Sequence, residues 1–176
     1  MTRAIIILPM GFEEMEAITP IDLLHRAGVS LTIAALTYPL QVTGRSRVEI
    51  LADGPLDSYL NNQYELVILP GGPGTENYFS SLVLEGFLKS QKGIIAAICA
   101  APTVLERFGF LKGKRYTCYP SVRDKLKDAV DDPVVVDGNI VTSTGPGTAF
   151  QFGIKLVELM EGKEKAAEVI KDTCWK

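Results

Sequence analysis

The chain has 176 residues, 47% hydrophobic and 22% charged, with a formal net charge of -3. That length and balance suit a single soluble domain over 1–176 whose core needs no covalent staples. The 18 Lys and Arg are scattered, which argues against a specific nucleic-acid or membrane partner, and three widely spaced Cys without a Cys-x-x-Cys argue against a disulfide scaffold or zinc site and for a reducing, cytoplasmic setting.

The predicted elements alternate between apolar strands and helical segments. Ala4–Leu8 is a β-branched run that ends at Pro9 and Gly11, so it reads as a buried strand. Its apolar stretch, Ala4 to Met10, is short for a signal peptide. Glu13–Ala27 is helical, with Gly28 placed as a C′ glycine. Met15, Ile18, Leu24 and Ala27 form its expected buried stripe. Val29–Leu36 is a second strand, and Gln41–Leu51 is either a hairpin or an edge strand. Glu65–Leu69 is a third buried strand, stopped by Pro70, Gly71 and Gly72. Leu82–Ser90 is a helix, Ile94–Ile98 a fourth strand, and Ala100–Phe108 a helix closed by Gly109. Gly93 to Leu105 is the longest uncharged stretch, well short of the ~18 residues that span a bilayer. Val134–Val136 and Ile140–Thr142 flank the turn signal Asp137, Gly138, Asn139. Thr148–Met160 and Glu164–Asp172 are amphipathic helices. Near-continuous apolar strands between helices predict an α/β fold, a mostly parallel sheet covered by helices on both faces. Ligands in such folds sit beyond the carboxyl ends of the strands.

Three of those ends carry unusual sequence. Cys99 follows a buried strand and precedes a helix, in A-I-C-A-A-P, with small neighbours that permit a sharp strand-to-helix turn. A helix N-terminus there would lower the thiol pKa, and the following N–H groups would face an oxyanion. The other reading is an inert buried thiol. Glu16 is one of three acids at the start of the first helix. It is either a working acid or a partner of the helix dipole, and Pro20 withholds the N–H its carbonyl would otherwise accept. Pro70–Gly74 is either a backbone anion cradle or a tight turn; it lacks the Lys and Ser/Thr of a P-loop. The single His, His25, lies nine residues after Glu16 and so on the opposite helix face, which leaves it on the surface. Gly145–Thr148 reads as a turn before a helix, and Cys118 and Tyr119 lie in a loop beside Pro120.

Together the strings GFEEMEAITPID at 11–22, LPGG at 69–72, AAICAAP at 96–102 and TSTGPGT at 142–148 closely resemble the ThiJ/PfpI superfamily, nearest to the branch of the parkinsonism-associated protein and bacterial YajL. They span nearly the whole chain in the family's order. The resemblance implies a flavodoxin-like three-layer sandwich that assembles as a homodimer. It implies that Cys99 is the reactive cysteine and Glu16 the acid bonded to its sulfur. Gly72 and Ala100 are the implied N–H donors. Gly71, Tyr119 and Pro146 fall at the pocket, and Arg47 matches a family arginine near it, often across the dimer interface. One departure concerns Tyr119, which occupies a position where the family often has His. A phenol is a poor base at neutral pH, so a Cys-His-Glu peptidase or amidotransferase is not expected.

The remaining pair, Cys99 and Glu16, suits addition to an α-oxoaldehyde such as methylglyoxal, with Glu16 shuttling protons if burial raises its pKa. The resemblance accordingly implies a glyoxalase or deglycase that needs no cofactor and no metal and takes a small reactive carbonyl or glycated substrate. The alternative is a redox-responsive chaperone or sensor. Its Cys99 would oxidise to a sulfenic or sulfinic acid, and its partners would be unfolded client proteins. A third reading is a non-catalytic binding module that merely retains the cysteine.

Overall fold

The computed structural model describes residues 3–175. In chain order the elements are strand β1 (Arg3–Leu8), helix α1 (Glu14–Arg26), strands β2 (Ser30–Ala35), β3 (Gln41–Thr43), β4 (Glu49–Leu51), β5 (Gly54–Pro55) and β6 (Leu66–Leu69), and helices α2 (Thr75–Ser80) and α3 (Leu82–Ser90). Strand β7 (Ile94–Ile98), helix α4 (Pro102–Arg107), strands β8 (Val134–Asp137) and β9 (Ile140–Ser143), and helices α5 (Ala149–Glu161) and α6 (Lys163–Asp172) follow. Short 3-10 turns span Leu56–Tyr59, Pro120–Lys125 and Pro146–Thr148.

Seven strands form one sheet in the order β5-β2-β1-β6-β7-β9-β8. Strand β1 runs parallel to β2 and β6, β6 to β7 and β7 to β9, while β8 returns antiparallel at the edge. Counted along the chain, β2-β1-β6-β7-β9 is the flavodoxin-like order, which reverses direction between β1 and β6 and opens a crevice at their carboxyl ends. Strand alternation explains why these strands are apolar throughout. Ala4, Ile6 and Leu8 pack in the core layer with α1, α5 and α6, while Ile5 and Ile7 pack with α2, α3 and α4. Burial of each such isoleucine contributes about 1.5–3 kcal/mol.

The segment 41–51 is a hairpin, a separate two-stranded antiparallel sheet of β3 and β4. It docks on the end of β1 and the start of α1: Gly11 N–H donates to the Thr43 carbonyl (2.8 Å), and Arg45 N–H to that of Phe12 (2.9 Å).

Helix α1 corrects the expected buried stripe. Leu24 and Ala27 are buried, but Met15 and Ile18 are 53% and 43% exposed, and Glu14 and Glu16 point inward instead. The inward face of the first turn meets backbone N–H groups rather than apolar side chains. Ser46 N–H donates to Glu14 Oε1 (2.6 Å), and Gly71 N–H to Glu16 Oε2 (2.8 Å). Such donors hold carboxylates, so the acids take the interior and the apolar residues are displaced outward. Pro20 lies inside α1 without ending it. Helix α4 starts at Pro102 rather than Ala100, because Ala100 and Ala101 form a turn in which Ala101 N–H donates to Ile98 O. Helix α2 is an addition to the predicted set. Its buried Tyr78 hydroxyl lies 2.8 Å from the Ile7 carbonyl and 3.1 Å from that of Pro70, clamping the ends of β1 and β6 together.

Candidate active site

The carboxyl ends of β1, β6 and β7 converge on Cys99. Its φ is +66°, in the left-handed region that a side chain other than glycine enters at a cost of about 1–3 kcal/mol. Two backbone bonds hold it there: Cys99 N–H donates to Ser143 O on β9 (2.9 Å), and Tyr119 N–H donates to Cys99 O (2.8 Å). The elbow lifts the thiol out of β7 yet leaves the residue only 7% exposed. The Gly72 and Ala100 N–H groups lie beside the sulfur and act to lower its pKa.

The glycine loop after β6 supplies room as well as donors. A Cβ on Gly71 would stand 2.8 Å from both Cys99 Cβ and Glu16 Oε2. Gly72 has φ +96°, and a Cβ there would stand 2.6 Å from Glu13 N. Both positions exclude side chains, so the loop backbone lies directly against the thiol and the carboxyl.

Glu16 comes from α1 and is fully buried. Oε2 accepts from Gly71, while Oε1 is buried with no hydrogen-bond partner among the described residues. The Cys99 thiol lies close enough to this carboxyl to act on its pKa. Leaving a carboxylate oxygen so in the interior is costly, which favours the protonated form of Glu16. Burial is the main cause that raises the Glu16 pKa from 4.5 to about 7; the neighbouring Cys99 thiol and the Gly71 N–H pull the other way. Cys99 is raised too, first by burial and then by the negative charge of Glu16, against the lowering effect of the Gly72 and Ala100 N–H groups. This reverses the expected lowering at a helix N-terminus. While Glu16 is charged, desolvation and its like charge outweigh the two donors. Thiol and carboxyl therefore behave as one unit that holds a shared proton above pH 7.

The thiol opens on a cavity of about 250 Å³. Of the expected residues, Cys99, Gly72, Ala100, Tyr119 and Pro146 line it, and Gly71 and Glu16 lie behind its floor. Arg47 is exposed on the β3–β4 turn and does not line the cavity of its own chain. Arg45 lines it instead, paired at 3.1 Å with Glu13, and Pro73 and Ser121 complete the wall. Glu13 carried the one signal available in the sequence, as one of the three acids at the start of the first predicted helix, beside the candidate Glu16. A larger cavity of about 380 Å³, beside Met10, Leu36 and Asn77, contains no thiol. His25 is exposed in the last turn of α1, so no imidazole reaches Cys99. Cys118 is buried and Cys174 exposed, both free. Among the described residues, no group of three or more His, Cys, Asp or Glu is arranged to hold a metal ion, and no helix is long and apolar enough to cross a membrane.

The DJ-1/PfpI family model matches residues 2–159. Protein dj-1beta of Drosophila melanogaster is 46% identical over 176 residues, covering 96% of this chain and 94% of that one. A Caenorhabditis elegans protein named glutathione-independent glyoxalase DJR-1.2 is 38% identical over 178 residues, covering 97% and 94%. The crystal structure of Drosophila melanogaster DJ-1beta superposes with a TM-score of 0.95 at 43% identity, over 98% of this chain and 97% of that one. The chain belongs to the DJ-1/PfpI family.

Proposed function

We propose that the protein is a cysteine-dependent glyoxalase that converts α-oxoaldehydes such as methylglyoxal to 2-hydroxy acids without a cofactor, and that related adducts on amines and thiols are further substrates. The observation that carries this reading is the buried Cys99–Glu16 pair beside a small cavity, with the pKa of both groups raised by burial. The glyoxalase name of the Caenorhabditis elegans relative supports the same chemistry.

In the first step Glu16 takes the thiol proton, and the Cys99 sulfur adds to the aldehyde carbon. The former carbonyl oxygen is protonated, giving a hemithioacetal. The hydrogen on that carbon then leaves as a proton, and a proton is delivered to the neighbouring ketone carbon. The result is a thioester of a 2-hydroxy acid. Water hydrolyses the thioester and restores Cys99. The aldehyde carbon is oxidised and the ketone carbon reduced, so no external oxidant enters. A carboxyl that titrates near 7 suits these opposed duties, because at neutral pH it is present in both forms. The Gly72 and Ala100 N–H groups stabilise negative charge on the sulfur in the attacking and leaving steps.

The test is lactate formation from methylglyoxal by the wild type, Cys99→Ala and Glu16→Gln. Loss of turnover in both variants is expected, with a fall of at least about a hundredfold for Glu16→Gln. Full turnover in either variant would remove that residue from the mechanism.

The same donors favour a second reading, redox response. A sulfinate on Cys99 would accept from the Gly72 and Ala100 N–H groups and from a protonated Glu16. Peroxide should then change how the protein suppresses aggregation of an unfolded client, and Cys99→Ala should abolish the change. Assembly as a homodimer belongs to the proposal. Met15 and Ile18 stand one turn apart on α1 with their side chains exposed, an apolar strip suited to a second copy.

A further inference from the structure

Among the described residues, Glu13 and Arg45 are the only charged side chains that line the Cys99 cavity. Glu13 is almost fully buried, and Arg45 stands at the mouth with its side chain 55% exposed. The two are fixed from both ends. Arg45 N–H donates to Phe12 O (2.9 Å), and Glu13 N–H donates to Gly71 O (3.0 Å). The guanidinium is therefore aimed by a backbone bond and a buried anchor rather than left as a free surface cation.

A guanidinium has five N–H donors in a rigid fork. Arg45 gives one, from Nη1, to Glu13 Oε2 at 3.1 Å. Its remaining donors have no hydrogen-bond partner among the described residues, so they stay open to an anion. Cys99 lines the same cavity, so a molecule that fills it meets both the nucleophile and the guanidinium. The cavity of about 250 Å³ has the liquid volume of about eight waters, room for more than a three-carbon substrate.

We propose that Arg45 is a specificity-determining residue that selects α-oxoaldehydes carrying a carboxylate tail. This rests on the glyoxalase reading of Cys99 and Glu16 and adds the substrate class. The aldehyde carbon lies at the Cys99 sulfur and the tail carboxylate accepts from the free Arg45 donors. The reaction balances as above: with water, 4,5-dioxopentanoate becomes 2-hydroxyglutarate. Arg45 lies outside the resemblance that pointed to Arg47, and its place in the cavity comes from the β3–β4 turn docking on α1.

The experiment compares kcat/KM for 4,5-dioxopentanoate and methylglyoxal in the wild type, Arg45→Gln and Arg45→Lys. Glutamine keeps an N–H donor for Glu13 and removes the positive charge. The ratio of the two kcat/KM values should favour the anionic substrate in the wild type. It should fall about fivefold in Arg45→Gln, the scale of a half-exposed ion pair, and lie between in Arg45→Lys, which keeps the charge but not the fork. Raising the salt to about 0.5 M should move the wild-type ratio toward that of Arg45→Gln. A second arm needs no turnover: glutarate should slow alkylation of Cys99 by iodoacetamide in the wild type and much less in Arg45→Gln. An equal ratio in all three proteins, with equal protection by glutarate, overturns the proposal and leaves Arg45 as the counter-ion of Glu13 alone. If the wild type fails to turn over methylglyoxal, the glyoxalase reading falls, and the glutarate arm decides the anion clamp separately.

Discussion

Replacing Glu16 by Gln should stabilise the protein in alkaline solution and progressively less in acid. The folded-state pKa is raised from 4.5 to about 7, chiefly by burial. Between those two values the folded protein holds a proton that the unfolded chain releases. Folding is therefore penalised above pH 7, by about 1.4 kcal/mol for each pH unit separating the two values, or about 3 kcal/mol in all. The penalty shrinks as pH falls through 7 and is gone below about 4.5. Glutamine carries no charge and pays none of it. Any hydrogen bond that Gln gains or loses adds an offset independent of pH, so the change across pH isolates the carboxyl. Urea unfolding of wild type and Glu16→Gln at pH 5 and pH 8 measures it. The stability of the variant relative to wild type should be about 2.5 kcal/mol greater at pH 8 than at pH 5. A difference that stays constant across that range would refute a buried carboxyl titrating near neutrality.

Tyr78→Phe removes the hydroxyl that clamps the Ile7 and Pro70 carbonyls, and should cost about 1 kcal/mol, a fall in Tm of about 2–4 °C by calorimetry. Gly72→Ala forces a Cβ to within 2.6 Å of Glu13 N at a φ of +96°; it should lower stability by about 2–4 kcal/mol and reduce methylglyoxal turnover as the loop shifts away from the thiol. Ile18→Asp places a charge in the exposed strip of α1; if that strip is the face of the proposed dimer, sedimentation should show the variant as a monomer and the wild type as a dimer at the same concentration, and equal masses would remove α1 from the interface.

Strands were the most legible part of the chain because their physics is local. Ile5, Ile6 and Ile7 are β-branched, both sheet faces are covered, and Pro9 and Gly11 end the run. Helix α2 left no comparable signal: Thr75–Ser80 is short and mostly polar, and its one deeply buried anchor, Tyr78, is fixed by carbonyls of β1 and the glycine loop. The inverted face of α1 follows from the same limit. An apolar pattern cannot register backbone N–H partners, and Gly71 and Ser46 are what draw Glu16 and Glu14 inward. At the site, the small residues around Cys99 disclose the elbow. The electrostatic state of its thiol depends on the charge of Glu16, which a distant segment delivers. Arg45 and Arg47 are two positions apart on a turn, and only the docking of that turn through the Arg45–Phe12 and Ser46–Glu14 bonds decides which one reaches the cavity.

The central claim, that Cys99 and Glu16 share a proton, is tested most directly by the pH dependence of Cys99 alkylation in wild type and Glu16→Gln. Iodoacetamide labelling is read by peptide mass spectrometry, with the exposed Cys174 as an internal reference. The pair loses its first proton near pH 7 and then keeps a fixed fraction of thiolate until the second proton leaves far above. The wild-type rate should rise about tenfold per pH unit up to about pH 7 and then run level to about pH 9. In Glu16→Gln no second group holds the proton, and the rate should climb through pH 9 without a plateau. Curves of the same shape in both proteins would contradict the shared proton and leave Cys99 an isolated thiol.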